Sequence, residues 1–249
     1  MDIVCISIGN ELLSGEITDT NKQWIGRTLK QAGYTLAEAI TVGDDRARIR
    51  ATIEYCIDAG YAIIATGGLG PTSDDITARA VAQAYRLRLV LSDEALDMVR
   101  GFFRCSGKSC PPGNEKQALL PQKAQPLENT CGTAPGFYLR HNTCPAFFLP
   151  GVPQEMQTMF SRQVLPLLQS SVPPHEVPKS NTLYTFGIPE AELEQRLHQA
   201  VGDRLYHGRA VPREERLGAL QEVDTESVRG ILDRCWQRSN ELILDPATR

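Results

Sequence analysis

The sequence predicts an α/β protein: a three-layer, wound, mostly parallel sheet followed by a small α+β appendage at the C-terminal end. Three observations carry this expectation. Short continuous apolar runs alternate with amphipathic runs through residues 1–170; one apolar run enters a helical pattern through Gly67, Gly68 and Gly70; and a proline-rich stretch, 170–178, separates this pattern from the residues beyond it.

The elements come in order. Residues 3–8 are apolar apart from Ser7 and read as a strand buried on both faces, running into the polar, glycine-bearing loop 9–15. After Asp19, Thr20 and Asn21, residues Trp24, Ile25, Leu29 and Ala32 recur at helical spacing, and Gly33 suits the C-terminal cap. A strand at 35–41 leads to Val42-Gly43-Asp44-Asp45, where an Asp caps a helix with Ile49, Ile53, Cys56 and Ile57 on its inner face. Residues 61–66 form the next buried strand. Gly67, Gly68 and Gly70 permit positive φ and leave no side chain between backbone N–H groups and an approaching anion. Ile76, Ala80, Val81 and Ala84 then mark a helix that Ser73, Asp74 or Asp75 is available to cap.

The alternation continues with a strand at 87–91 and a helix carrying Leu96, Val99 and Phe103. The polar stretch 107–121, with a turn at Pro111-Pro112-Gly113 and a short helix containing Ala118, Leu119 and Leu120, is expected to close over the pocket. Residues 136–140 and 144–149 read as a hairpin or two neighbouring strands, and Pro153 opens a helix through Met156, Met159, Phe160, Val164 and Leu167. Past the prolines, 182–186 reads as a strand, Pro189 opens a helix with Leu193 and Leu197, and Val228, Ile231, Leu232, Cys235 and Trp236 share one helix face. The expected boundaries are a main domain at 1–170, a linker at 171–178 and a small second domain at 179–249.

Composition narrows the function classes. The 249 residues are 41% hydrophobic and 22% charged, ordinary for a globular chain, and the net charge of −4 with scattered basic residues argues against general nucleic-acid affinity. The start Met1-Asp2-Ile3-Val4-Cys5 is not a signal peptide, and no apolar stretch approaches the ~20 residues of a membrane span. No membrane partner and a cytoplasmic location are therefore expected. The 7 cysteines are irregularly spaced, without the paired pattern of a zinc site; Cys5, Cys56 and Cys235 read as core residues. His141, His175, His198 and His207 show no ligand spacing and read as surface or packing residues.

In a wound sheet the loops at 9–21, 43–45 and 67–75 all come after strands and converge on one edge. That brings Glu11, Asp19, Asp44, Asp45, Asp74 and Asp75 together with Ser14, Thr20 and Asn21 as neutral donors. Taken singly, each acid is more often a helix cap or a solvated group, and a glycine turn also serves plain chain reversal. Adjacent carboxylates at a phosphate site repel the phosphate unless a divalent cation intervenes. Asp44, Asp74 and Asp75 are therefore candidate metal ligands and candidate catalytic residues that orient a water. The loop has neither the Lys-Ser/Thr ending of a P-loop nor dinucleotide spacing.

The set Gly9-Asn10-Glu11-Leu12-Leu13-Ser14-Gly15 with Asp19-Thr20-Asn21, Thr41-Val42-Gly43-Asp44, Thr66-Gly67-Gly68-Leu69-Gly70-Pro71-Thr72-Ser73-Asp74-Asp75, Gly132-Thr133-Ala134-Pro135-Gly136-Phe137 and Leu149-Pro150-Gly151-Val152-Pro153 resembles the competence/damage-inducible protein A (CinA) family. The likeness runs over about residues 1–200, and Thr185-Phe186-Gly187-Ile188-Pro189-Glu190 resembles the start of that family's small second domain. It implies a MoaB/Mog-like, molybdopterin-binding fold with divalent-metal-dependent (Mg, Mn or Co) ADP-ribose pyrophosphatase activity. Residue by residue, it implies ligand contacts for Gly67, Gly68, Gly70, Ser14, Asp19 and Asn21, acidic roles for Asp44 and Asp75, and pocket walls at Gly132, Thr133, Pro150 and Gly151. Family members often carry a further domain similar to an amidohydrolase acting on nicotinamide mononucleotide; the chain stops before it, so deamidation is not expected. From about Gly202 the strand pattern of the small domain is lost, which fits a divergent or a truncated second domain.

Three functions are compatible with these expectations. One is a pyrophosphate hydrolase acting on ADP-ribose or a similar nucleotide sugar. Another is a molybdopterin-binding protein of molybdenum-cofactor assembly, using the same glycines for a terminal phosphate. The third is a nucleotide sensor without catalysis. The expected partner is a small nucleotide or pterin-phosphate ligand, and family analogy implies a homodimer.

Overall fold

The computed structural model describes residues 2–142 and 144–172, all within the first of two units, Met1–Pro178 and Lys179–Arg249, into which the chain divides. The expected second domain at 179–249, most of the 171–178 linker, the strand at 182–186, the helices after it, and His175, His198, His207 and Cys235 lie outside the described residues.

The first strand, β1 (Ile3–Ile8), is buried along its whole length. A short helix α1 (Asn10–Leu13) occupies part of the expected loop and leads to α2 (Thr20–Gln31), capped by Asp19, whose carboxylate accepts the Lys22 N–H at 2.9 Å. Next come β2 (Leu36–Val42) and α3 (Arg46–Asp58), the latter capped by Asp45, then β3 (Ala62–Thr66) and, beyond the glycine loop, α4 (Thr77–Ala84). The remaining elements are β4 (Leu89–Leu91), α5 (Asp93–Cys105), β5 (Leu119–Pro121), β6 (Gln125–Leu127), β7 (Gly136–His141), β8 (Cys144–Leu149), α6 (Pro153–Met159) and α7 (Leu165–Ser171).

The main sheet has the order β2-β1-β3-β8-β7-β6; β2, β1, β3 and β8 are mutually parallel, while β7 runs antiparallel to both its neighbours. Alternation along the strands divides the core. Val4, Ile6, Ile63, Ala65 and Phe148 face α3, α4 and α5, whereas Ile3, Cys5, Ile64, Phe147 and Leu149 face α2, α6 and α7. The result is the expected three-layer, mostly parallel α/β architecture. Burial pushes the Cys5 and Cys56 thiols up to about 12, with smaller contributions from Asp19 and Glu38, so both are protonated core residues. Among the described residues no helix is long and apolar enough to cross a membrane.

Beyond α1, the elements depart from the sequence expectation at β4, at residues 118–120 and after α6. The strand expected at 87–91 is shorter and leaves the main sheet: β4 pairs antiparallel with β5 in a separate ribbon. The short helix expected around Ala118–Leu120 is instead a 3-10 turn, Asn114–Ala118, followed at once by β5. A π turn, Phe160–Val164, joins α6 to α7, so its added residue moves the inner face from the expected Leu167 to Leu168, which is fully buried. Gln163 in that turn accepts the Glu128 N–H at 2.9 Å and donates to the Glu128 carbonyl at 2.7 Å, fastening the helix to the chain just beyond β6.

The parallel strands end close together at Gly67. Its N–H donates to Leu149 O at 2.9 Å, its φ is +107°, and a Cβ added there would strike the carbonyl oxygen of Ile8. Gly15 also has positive φ, +77°, but faces open space. A Gly15→Ala substitution is expected to cost about 1–2 kcal/mol, the left-handed penalty alone. Gly67→Ala is expected to cost more than about 3 kcal/mol, because backbone must also move. Urea unfolding of the two variants measures the difference, and equal midpoints would contradict the packing argument.

Candidate functional site

The C-terminal ends of β1, β2, β3 and β8 open onto one edge of the sheet, where their loops surround a cavity of about 420 Å3. Ile8 and Gly9 come from the end of β1, Asp44 from the end of β2, Gly67 to Pro71 with Asp74 and Asp75 from the glycine loop, and Pro150, Gly151 and Val152 from the end of β8. The expected convergence of the first three loops is therefore present, and β8 adds the fourth.

The glycine loop turns sharply after β3 and leaves several backbone donors without a protein partner among the described residues. Gly67 and Gly68 have φ of +107° and +66°, left-handed conformations that favour glycine. The Gly67 N–H is used by Leu149, while those of Gly68, Leu69 and Gly70 have no protein acceptor among the described residues. Gly70 is not left-handed; a Cβ there would meet the Asp75 carboxylate, so this glycine makes room for an acid rather than for a backbone turn. Ser73, Asp74 and Asp75 do not cap α4, because the chain makes a further turn first. Ile76 stands at the cap position without a side-chain hydrogen bond, and Thr77 donates its hydroxyl to Gly67 O at 2.9 Å.

That further turn is organised by Thr72. Its N–H donates to Asp75 Oδ2 at 2.8 Å, and its hydroxyl lies within hydrogen-bond reach of both Asp75 Oδ2, at 2.6 Å, and Asp74 Oδ1. One hydroxyl proton cannot serve two carboxylates at once, so Thr72 shares it between them. The Thr72 hydroxyl holds the Asp74 carboxyl below the usual carboxylate range, helped by backbone hydrogen bonding and by Lys116. Asp44 is fixed by a reciprocal clasp: the Asn10 N–H donates to Asp44 Oδ2 at 2.9 Å, and the Asp44 N–H donates to Asn10 Oδ1 at 3.0 Å.

Other residues expected at the site stand behind it. Asp19 caps α2 and pairs with Lys22 at 3.3 Å, and Ser14 turns its hydroxyl to Glu11 O. Asn21 donates to Gly151 O at 2.7 Å, so it positions a wall of the cavity without lining it. Thr133, Pro150 and Gly151 do line it, whereas Gly132 lies against the Glu155 carboxylate.

Two lining residues escaped the sequence reading. Glu155, in the first turn of α6, enters the cavity with Asn129 donating to its carboxylate at 2.7 Å. Gln117, only 6% exposed, accepts from Asn114 Nδ2 at 3.1 Å and donates to Thr133 Oγ1 at 3.2 Å. The Leu149-Pro150-Gly151-Val152-Pro153 turn was a signal that the next acid, Glu155, stands at the same edge. Nothing local marks Gln117.

Among the described residues the wall thus carries five carboxylates, Glu11, Asp44, Asp74, Asp75 and Glu155, and no Lys, Arg or His. Among the described residues, no three His, Cys, Asp or Glu side chains stand close enough to form a ready metal cluster.

A glycine turn at the carboxyl edge of a wound, mostly parallel sheet marks an α/β domain whose strand-end loops gather around one cavity. The chain belongs to the family described as probable molybdopterin binding domain, whose model matches residues 4–170. A CinA-like protein of Geobacter sulfurreducens is 47% identical over 197 residues, 79% of this chain and 48% of the relative. The crystal structure of the protein CinA with unknown function from Thermoplasma acidophilum aligns with a TM-score of 0.60 at 32% identity, covering 64% of this chain and 94% of that one. The molybdopterin biosynthesis enzyme MoaB from Thermus thermophilus aligns more remotely, with a TM-score of 0.46 at 20% identity over 68% of this chain and 92% of its own. The likeness to CinA-like proteins is thus found in sequence and in structure, and the chain spans about half the length of the curated relatives it matches.

Asp74 should titrate below an ordinary aspartate, keeping its charge until the pH falls through that lowered value. Replacing Thr72 with Val removes the donated hydroxyl, so the Asp74 midpoint should move up toward the usual range. Side-chain carboxyl NMR across pH 2–6, roughly the span of perturbed aspartates, measures it, and an unmoved midpoint would refute the Thr72 assignment.

Proposed function

We propose that the chain is a divalent-cation-dependent hydrolase that splits the pyrophosphate of ADP-ribose or a similar nucleotide sugar into AMP and a sugar phosphate. One observation carries the reading: among the described residues, Gly68, Leu69 and Gly70, whose N–H groups have no protein acceptor, line a cavity walled by five carboxylates and no basic side chain. A pyrophosphate is drawn to the N–H groups and repelled by the acids, so its stable occupancy calls for a cation between the two.

The donor set fits such a cation. Asp44, Asp74 and Asp75 are hard oxygen donors, and Mg2+ is commonly held by one or two carboxylates together with substrate phosphates and water rather than by a complete protein cage. A cation bound there would neutralise phosphate charge and lower the pKa of a bound water. In this reading the N–H groups of Gly68, Leu69 and Gly70 hold the phosphate oxygens, and Thr72 keeps Asp74 anionic. Asp44, clasped by Asn10, orients the attacking water and takes up its proton as the new P–O bond forms and the bridging P–O bond breaks.

The family's description as probable molybdopterin binding supports a second reading. There the same N–H groups take the terminal phosphate of a pterin, and no bond is cleaved.

Purified protein with ADP-ribose and Mg2+, Mn2+ or Co2+ should release AMP, and chelation should stop the release. Asp44→Ala and Asp75→Ala should each lower kcat by about 100-fold or more, the scale of losing a catalytic carboxylate. Wild-type protein that yields no AMP with any of the three metals defeats the hydrolase reading. Retained pterin-phosphate binding without turnover supports the second.

A further inference from the structure

We infer that the sheet edge opposite the acidic cavity carries a second ligand site, one for a phosphate monoester with an apolar body, at the step where β7 runs on past β6. The inference does not depend on the function proposed above.

The C-terminal end of β8 leads into the acidic cavity, and β7 runs antiparallel to β8, so β7 finishes roughly 20 Å away at about 3.3 Å per residue. β6 pairs only with Gly136 to Tyr138, which leaves residues 139–141 of β7 without a strand partner on that side. A cavity of about 320 Å3 opens at this step, at the small end of the roughly 300–1,000 Å3 range of small-molecule sites. The end of α4 and the turn before β6 contribute Tyr85, Leu87 and Lys123 to its wall.

This wall is rich in donors. Lys123, Arg140 and His141 line it, and among the described residues it has no Asp or Glu, the reverse of the acidic cavity. Neither Lys123 nor Arg140 forms an ion pair among the described residues. One guanidinium N–H of Arg140 donates to Ser171 Oγ at 2.8 Å, which ties the side chain to α7 and leaves four donors over. The backbone adds another. Arg140 stands opposite Pro145 of β8, which has no N–H, so the two form a pair whose backbone groups point away from each other. The Arg140 N–H is thereby directed at the step, and it has no acceptor among the described residues. Burial pushes the Tyr85 hydroxyl up, with smaller contributions from the Cys144 and Cys56 thiols, so it too stays a donor.

Lys123 stands there at a conformational cost. The Ala124 N–H donates to Pro121 O at 2.9 Å, closing a turn whose third residue, Lys123, has φ of +73°. Turns of this form favour Gly or Asn at that position, and other residues seldom adopt it. A merely solvated charge fits any surface position; this one occupies a left-handed turn in the wall of a cavity that Arg140 and His141 also line.

The donor set suits a phosphate better than a carboxylate. A phosphate monoester offers three terminal oxygens and up to two charges, enough for an ammonium, a guanidinium fork and a backbone N–H together. A carboxylate has two oxygens and one charge. The rest of the wall selects the body of the ligand. Leu87 and the rings of Tyr85 and Tyr138 set apolar surface beside the donors; Tyr138 is steadied by stacking on Phe147 at 5.1 Å, and Tyr85 meets His141 edge to face at 6.0 Å. With no acid in this wall among the described residues, the anion needs no divalent cation.

Phenyl phosphate, inorganic phosphate and benzoate are titrated calorimetrically into the full chain with chelator present, so that the acidic cavity, left without a cation, does not compete. Phenyl phosphate should bind, and the other two should bind at least about fivefold more weakly. Lys123→Gln and Arg140→Gln, both at exposed positions and checked for folding by thermal melting, should each weaken phenyl phosphate by about fivefold or more. Backbone amide NMR of the wild type should place the largest shifts at residues 123 and 139–141. The inference is overturned by a wild type that does not bind phenyl phosphate, by wild-type affinity in both variants, or by largest shifts at Gly68 to Gly70. Benzoate or inorganic phosphate binding as tightly as phenyl phosphate also overturns it.

Discussion

The close crossing at Gly67 is the constraint on which the rest of the site depends. Four chain segments meet there: the end of β1 through Ile8 O, the end of β8 through Leu149 O, the first turn of α4 through Thr77, and Gly151, where a Cβ would come within 3.5 Å of the Gly67 Cα. No side chain fits, so residue 67 must be glycine, and its positive φ bends the next residues over the strand ends. The same bend leaves the N–H groups of Gly68, Leu69 and Gly70 without acceptors among the described residues. Asn21 then holds Gly151 from behind through its carbonyl, so that helix α2 contributes to the cavity without touching it. Packing and binding geometry are here two results of one steric fact.

The cavity's electrostatics follow from the loops that steric crossing gathers. Three of the four parallel strands, β2, β3 and β8, lead into segments whose acids have local tasks: Asp44 bonds Asn10, Asp75 bonds Thr72, Glu155 bonds Asn129. These bonds orient the carboxylates but leave acceptor capacity directed at the cavity, since an ionised carboxyl has about four lone-pair sites. Every described residue lining the cavity falls between Ile8 and Glu155, inside the span matched by the family model. The site is therefore built within one domain.

What the sequence made legible was whatever depends on local chemistry. Asp19 and Asp45 cap their helices, Gly33 ends α2, and Pro153 opens α6, because each rule involves residues a few positions apart. The uniform apolar runs of β1 and β3 reveal double-sided burial for the same reason. Partner choice was not legible: the residues of β4 are as apolar as a main-sheet strand, and only pairing with β5 shows that they belong elsewhere. Gln117 and Glu155 were missed because their supports, Thr133 and Asn129, lie 16 and 26 positions away. Ser73, Asp74 and Asp75 carried the right composition for a cap and the wrong position, because Thr72 draws the acids into a turn of its own before the helix begins.

The Gln163 contact beyond β6 bears on how the sheet ends. An edge strand presents outward N–H groups that can template pairing with another chain. On β6 the outward positions alternate with those facing β7, and both donors on that side are removed: Pro126 has none, and the Glu128 N–H is already given to Gln163. A side-chain amide in a π turn thereby imitates one residue of a neighbouring strand and seals that margin against strand addition. Edge-to-edge aggregation of this sheet is left to the opposite margin, along β2.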